Sequence, residues 1–267
     1  MSELALTPRS EPRLVPAAAV AAVLAGAVGA WIVLAGRMAG MDAGPGGDPG
    51  ALGWFAATWA IMTAAMMLPV AAPAVVRVAR GWPAKAPAAT VSFLAGYGVV
   101  WVVAGLAGYG VVLAIRDLHA GALGWSSAGR YVAAGAIIAA GLYQLTPVKR
   151  RWLARCIAPE LPVGRRPTVD ALRAGLEHGR CCVACCWTLM AALYALGMMS
   201  LGWMALVTVL IVAERVLRPS AAIIRVVAAV LIVLGLAVAA APASVPGLTV
   251  PSMASPAMTH SAMMGMG

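Results

Sequence analysis

The chain has 267 residues, of which 63% are hydrophobic and only 10% charged, and its mean hydropathy is +0.92. Soluble domains carry about 25% charged residues, so an ordinary soluble enzyme and an intrinsically disordered chain are both excluded, and an odd, sparse set of five cysteines excludes a secreted disulfide scaffold. The net charge of +10 fits basic side chains gathered on one side of a membrane, with no nucleic-acid partner.

The predicted fold class is an all-α polytopic membrane protein, a bundle of about seven transmembrane helices. Apolar stretches near the 20-residue length that crosses a bilayer fall at Ala17–Leu34, Leu52–Val76, Ala89–Ile115, Tyr131–Thr146, Arg180–Met198, Gly202–Leu217 and Ala221–Ala241. The fourth and sixth are short, so six spans plus one interfacial helix is the second count. Turn chemistry separates the first two stretches at Gly44-Pro45-Gly46-Gly47, and Trp82-Pro83 separates the next two. Residues 1–16 read as a cytoplasmic segment and 17–241 as the helical domain. Within that domain, 148–179 reads as a basic cytoplasmic loop whose last part, from Asp170, starts the fifth helix early. Residues 242–267 read as a disordered, Met-rich external tail.

Charge orients the chain. With the N-terminus in the cytoplasm and seven crossings, Arg37, Arg116 and Arg130 are the only basic side chains left outside, and the C-terminus is external. This is the pattern of a bacterial inner-membrane protein. The first stretch also has the basic start of a signal peptide, but its apolar run is longer than the usual core of one, which favours a retained anchor.

The densest chemical cluster is Cys181-Cys182-Val183-Ala184-Cys185-Cys186-Trp187, at the inner start of the fifth stretch. Residues three and four apart share a helix face, so Cys182 stands beside Cys185 and Cys186, with His178 one turn earlier. Thiolates and an imidazole on one stripe suit Cu(I), zinc or an iron–sulfur cluster. One helix alone does not supply a tetrahedral site, so another segment must contribute, and Cys156 in the basic loop is the available sulfur. The candidate ligands are therefore Cys182, Cys185 and Cys186, completed by Cys156 or His178, with Cu(I) ahead of zinc because copper tolerates fewer ligands. Cys is also a common small hydrophobe of apolar helices, and that reading stays open.

Methionine forms the second pattern. Trp59, Met62 and Met66 recur at helical spacing on the second stretch, Met67 follows, and Pro69 and Pro73 interrupt the helix beyond them. Met190, Met198 and Met199 continue above the cysteines. Together these residues suggest a secondary metal pathway, although methionine also fills packing gaps. In the tail, Met258, His260, Met263, Met264 and Met266 have no core to fill and are candidate ligands for metal capture. Antiparallel pairing of the second and fifth stretches is expected to bring Met62 and Met66 near Met190. Glu214 and Arg215 read as an interfacial pair, and Gln144 as a bond across helices. The sequence holds no Ser-His-Asp set, phosphate-binding loop or HExxH, so hydrolase or ATPase chemistry has no support.

Taken in order, Trp59-x-x-Met62-x-x-x-Met66-Met67-x-Pro69, Tyr143-Gln144-x-Thr146-Pro147-x-Lys149, Cys182-x-x-Cys185-Cys186-Trp187-x-x-Met190, Gly197-x-Met199 and Trp203-Met204 resemble a bacterial family. That family is the domain-of-unknown-function 2182 group (DUF2182) of predicted metal-binding integral membrane proteins, and the resemblance runs from about Trp54 to Leu217. It implies a membrane-embedded metal site. Two positions depart from the family pattern: Trp152 stands where the first of two loop cysteines is usual, leaving Cys156 alone, and Ser200 replaces an Asn. The function expected is the handling or delivery of Cu(I) across or at the inner membrane through Met and Cys ligands, with the lipid bilayer and copper-chaperone or metalloenzyme-maturation proteins as partners. The alternatives are a membrane thiol oxidoreductase or assembly factor, and a structural subunit without metal.

Overall fold

The computed structural model describes residues 11–38, 50–118, 129–157, 166–197, 200–216, 221–242 and 245. Within them the chain forms eight α-helices: α1 (Glu11–Met38), α2 (Leu52–Gly81), α3 (Ala86–Leu118), α4 (Arg130–Gln144), α5 (Pro147–Ile157), α6 (Pro167–Gly197), α7 (Leu201–Val216) and α8 (Ala221–Ala240). A single 3₁₀ turn, Pro83–Lys85, joins α2 to α3. The tail methionines and His260, together with Met198 and Met199, lie outside the described residues.

Each predicted apolar stretch is helical over nearly all of its described residues, but seven crossings are not shown by length and apolarity. Among the described residues five helices are long and apolar enough to cross a membrane, or six if α4 and α5 together make one bent span. With 15 and 16 residues, α4 and α7 are each about 23–24 Å long at 1.5 Å per residue, short of a hydrocarbon core of roughly 30 Å. The largest departure from expectation is α5, which occupies part of the segment read as a loop. Four basic side chains suppress its hydropathy, yet Lys149, Leu153 and Cys156 recur at i, i+4 and i+7 and are buried, while Arg150, Arg151 and Arg155 are exposed.

The bend between α4 and α5 is 67°, and one hydroxyl serves both sides of it. Thr146 Oγ1 donates to the carbonyl of Tyr143 at 2.7 Å and accepts from the backbone N–H of Lys149 at 3.2 Å. It therefore caps the new helix at its third residue, and Pro147 occupies the first position, where no N–H is needed.

Helix directions follow from the contacts. Trp31 Nε1 donates to the carbonyl of Ala65 at 3.1 Å, and Arg37 reaches Thr58, so α1 and α2 are antiparallel. Pro69 has no N–H to offer Ala65 four residues back, and the indole of Trp31 supplies the missing donor. Trp59 Nε1 donates to the carbonyl of Trp101 at 2.8 Å, and Tyr109 reaches Gly50, which sets α3 antiparallel to α2. α3 and α6 run parallel in the closest contact of the bundle. A Cβ at Gly175 would collide with the Phe93 carbonyl, and one at Gly96 with the Leu172 carbonyl. Small residues at such crossings let backbones touch, and α4 and α8 repeat the device with Gly141 and Gly235.

One expected pairing does not form. α2 and α6 are not a packed pair; α3 and α7 each pack against both of them and stand between. Met62, Met66 and Met190 share the same core, but the close α3–α6 glycine contact takes the face of α6 that the prediction gave to α2.

Candidate metal centre

The buried stripe of α6 passes through Ala171, Ala174, His178, Cys182, Cys185, Cys186, Leu189 and Leu193, the period of an amphipathic helix. Its three cysteines are at most 1% exposed. α5 lies across this stripe and brings Cys156, also buried, to the cluster. Cys156 Sγ is 3.8 Å from Cys185 Sγ, and Cys185 Sγ is 3.4 Å from Cys186 Sγ. Cys185 Sγ additionally donates to the Cys182 carbonyl one turn back, at 3.3 Å. Cys181 is half-buried at the rim, with Cys156 as its polar neighbour.

Two elements not foreseen as parts of the site complete it. Arg215 of α7 donates through one nitrogen, Nη2, to both Cys182 Sγ and Cys185 Sγ, each at 3.1 Å. Tyr97 of α3 places its hydroxyl 3.2 Å from Cys182 Sγ. Both helices are held in position by contacts already inherent in their sequence. The α3–α6 glycine crossing sets Tyr97 beside Cys182. α7 is fixed by an ion pair between Glu214 Oε2 and Lys149 Nζ at 2.8 Å, with side chains 1% and 0% exposed. Glu214 and Arg215 are therefore not partners of each other. Adjacent helix residues do not face one another, and these two point to different neighbours, a lysine and a sulfur pair. α5 is anchored at its far end too, where Arg77 of α2 donates to the Ile157 carbonyl at 3.1 Å.

His178 is buried among aromatic rings rather than sulfurs. Its ring centroid is 5.7 Å from that of Phe93 and 5.6 Å from that of Tyr97, and neither ring nitrogen has a hydrogen-bond partner among the described residues. Gln144, expected to bond across helices, has both amide atoms buried with no partner among the described residues. That role falls to Tyr143, whose hydroxyl donates to the Ala184 carbonyl at 2.8 Å and whose ring meets Trp187 edge-on. Trp152 is half-buried with the Arg155 guanidinium 5.1 Å from its ring. The methionines of α2 are equally buried, Met62, Met66 and Met67 at 1% or less, and Met190 of α6 is 8% exposed.

Among the described residues no three His, Cys, Asp or Glu side chains stand converged as a finished cage. The donor set is nevertheless suited to a soft ion. Cys156 Sγ and Cys185 Sγ are in direct contact at 3.8 Å, close enough for one soft ion to reach both with bonds of about 2.3 Å. A guanidinium beside the sulfurs compensates the negative charge that a thiolate brings into an apolar interior. The signals for Arg215 and Tyr97 were weak in sequence. For α5, the cap Thr146-Pro147 followed by the spacing of Lys149, Leu153 and Cys156 was a readable one.

No curated protein and no solved structure matches this chain. Residues 56–238, from α2 into α8, match the model of a protein family described as PpoB2, copper chaperone. That stretch contains every sulfur of the cluster together with Tyr97, Lys149, Glu214 and Arg215, and the chain belongs to this copper chaperone family.

Proposed function

We propose that the protein is an integral membrane copper-handling protein of the bacterial inner membrane that holds Cu(I) on thiolates drawn from Cys182, Cys185 and Cys186 of α6 and Cys156 of α5. The observation that carries this reading is the meeting of Cys156 and Cys185. Two elements separated in sequence by a polar stretch bring buried sulfurs into contact at 3.8 Å, in a chain of a copper chaperone family. His178, in its aromatic setting, is a neighbour of this set and not a preferred ligand. Copper is the cargo, received and given up by exchange between sulfur ligands, and the partners proposed are copper chaperones or metalloenzyme-maturation proteins. Membership of the DUF2182 group is part of this proposal, on the order of its motifs.

The topology proposed has the cysteine cluster at the cytoplasmic end. The C-terminal end of α2, all of α5, the start of α6 and the end of α7 gather there, and with them most of the basic side chains. Residues 1–16 are then cytoplasmic and the 242–267 tail external, where Met258, His260, Met263, Met264 and Met266 capture metal. Met62, Met66, Met67 and Met190, with Met198 and Met199, form a thioether route between the two sides. Cu(I) prefers such ligands, and harder metals do not compete for them.

The test is the copper content of detergent-purified protein lacking the tail beyond Pro242. The parent is expected to bind Cu(I), Cys185→Ser to lose it, and Cys181→Ser to keep most of it. Undiminished copper in a variant with Ser at positions 182, 185 and 186 would make these cysteines packing residues. A reversible disulfide without bound copper would favour the thiol oxidoreductase instead.

A further inference from the structure

The five cysteines are unequal in their access to solvent. Cys156, Cys182, Cys185 and Cys186 are at most 2% exposed, whereas Cys181 is half-buried. Around Cys182 the rings of Phe93, Tyr97 and His178 pack together, and Arg215 meets Cys182 and Cys185 from α7. Cys181 stands four residues before Cys185, so the two are neighbours on one face of α6, and Cys156 approaches it from α5. The surface at this rim is cationic. Arg180, beside it in the chain, and Arg151 and Arg155 of α5 are exposed, and Glu177 is the only exposed carboxylate among the described residues of α5 and α6. We infer that Cys181 is the exchange thiol of the copper site: it takes Cu(I) from an incoming thiolate complex, passes it to Cys156 and Cys185, and receives it again on release, without being a ligand of the loaded site. The inference rests on the reading of the buried cysteines as copper ligands.

The physical reasons are reach and charge. A bare cation in an apolar core is expensive, so the ion moves inward only where the next sulfur binds before the last one lets go. Bonds of about 2.3 Å let one ion join sulfurs up to roughly 4.6 Å apart, and the Cys156–Cys185 and Cys185–Cys186 separations of 3.8 and 3.4 Å lie within that reach. The copper stays Cu(I) throughout, so no oxidant or reductant takes part. As the copper–sulfur bond to Cys181 forms, the bond to one donor sulfur breaks, and the proton leaving the Cys181 thiol goes to the departing donor thiolate. Bonds to Cys156 and Cys185 then replace those to Cys181 and the second donor sulfur. Of the two protons these thiols release, one returns to Cys181 and the other leaves with the donor. A Cu(I) bis-thiolate carries one net negative charge, which the exposed arginines at the rim attract and the Arg215 guanidinium meets inside. A thiol acting in this way sets the rate in both directions and leaves the final amount of bound copper unchanged.

The experiment follows the copper retained by full-length protein in detergent after rapid desalting, at increasing times after mixing with the Cu(I) complex of glutathione. Its loss is then followed when the loaded protein meets excess glutathione. Cys185→Ser is the blank, because copper held elsewhere in the chain is present in it equally. Cys181→Ser should load and release more slowly by on the order of tenfold or more, since the parent thiol makes the second exchange intramolecular, and should still reach the parent's final copper content. Cys181→Ala, which opens the rim further but carries no sulfur, should be as slow. Cys181→Ser or Cys181→Ala exchanging copper at the parent rate overturns the inference and leaves the copper site standing. A lower final copper content in Cys181→Ser also overturns it, by making Cys181 a ligand of the loaded site. Parent copper no higher than that of the blank removes the copper site itself, and the inference with it.

Discussion

The α6 cysteines and the α2 methionines are buried to the same degree, yet they sit in different surroundings. Cys182, Cys185 and Cys186 are met by a phenol, a guanidinium and a sulfur from three other helices. Met62, Met66 and Met67 are surrounded by the apolar core of α1, α3 and α7. Burial therefore does not separate a site from packing in this bundle. What separates them is the polar investment around the sulfur: a fully buried ion pair and a bent helix are maintained where the cysteines lie.

The sharpest way to break that contrast is to cut the ion pair. Lys149→Met leaves Glu214 buried without its partner, and removing one half of such a pair costs about 3–5 kcal/mol. Thermal unfolding in detergent should show that loss. The double variant Lys149→Met, Glu214→Leu should recover most of it, since an apolar replacement of both partners is often neutral. If the single variant is as stable as the parent, α5 is held by something other than this pair.

A smaller effect is expected at the α3–α6 crossing. Gly175→Ala forces its Cβ against the Phe93 carbonyl, and overpacking of this kind costs about 1–3 kcal/mol. Because Tyr97 lies one turn along α3, the separation should also loosen its hold on Cys182. Faster alkylation of Cys182 in metal-free Gly175→Ala than in the parent is the expected readout, and an equal rate would mean that Tyr97 is placed by other contacts.

The smallest change is expected in α2. Met62→Leu with Met66→Leu conserves volume and should cost less than about 1.5 kcal/mol per site. If the methionines only pack, copper loading in vesicles will proceed at the parent rate. The proposed thioether route predicts slower loading with an unchanged final amount of copper at the cysteines.

Much of this was readable in the chain, and the misses share a cause. The α6 stripe declared itself because apolar residues, glycines and cysteines keep one period from Ala171 to Leu193. Pro69 announced a carbonyl in need of a donor, and Trp31 provides it. α5 escaped because hydropathy averages over Lys149, Arg150, Arg151 and Arg155, although only the first of these is buried. The partners Tyr97, Lys149 and Arg215 escaped because they meet the site from distant helices. Which helices neighbour α6 depends on backbone approach at Gly96 and Gly175, a property of the pair and not of either segment. Depth in the membrane alone put α2 beside α6, and α3 took that place.

The central claim is that the cysteines of α5 and α6 bind copper together. X-ray absorption at the copper edge of the Cu(I)-loaded protein, lacking residues beyond Pro242, tests it most directly. A sulfur-only shell that disappears in both Cys156→Ser and Cys185→Ser is the predicted result. A shell of nitrogen or oxygen, or a sulfur shell indifferent to those two substitutions, would contradict it.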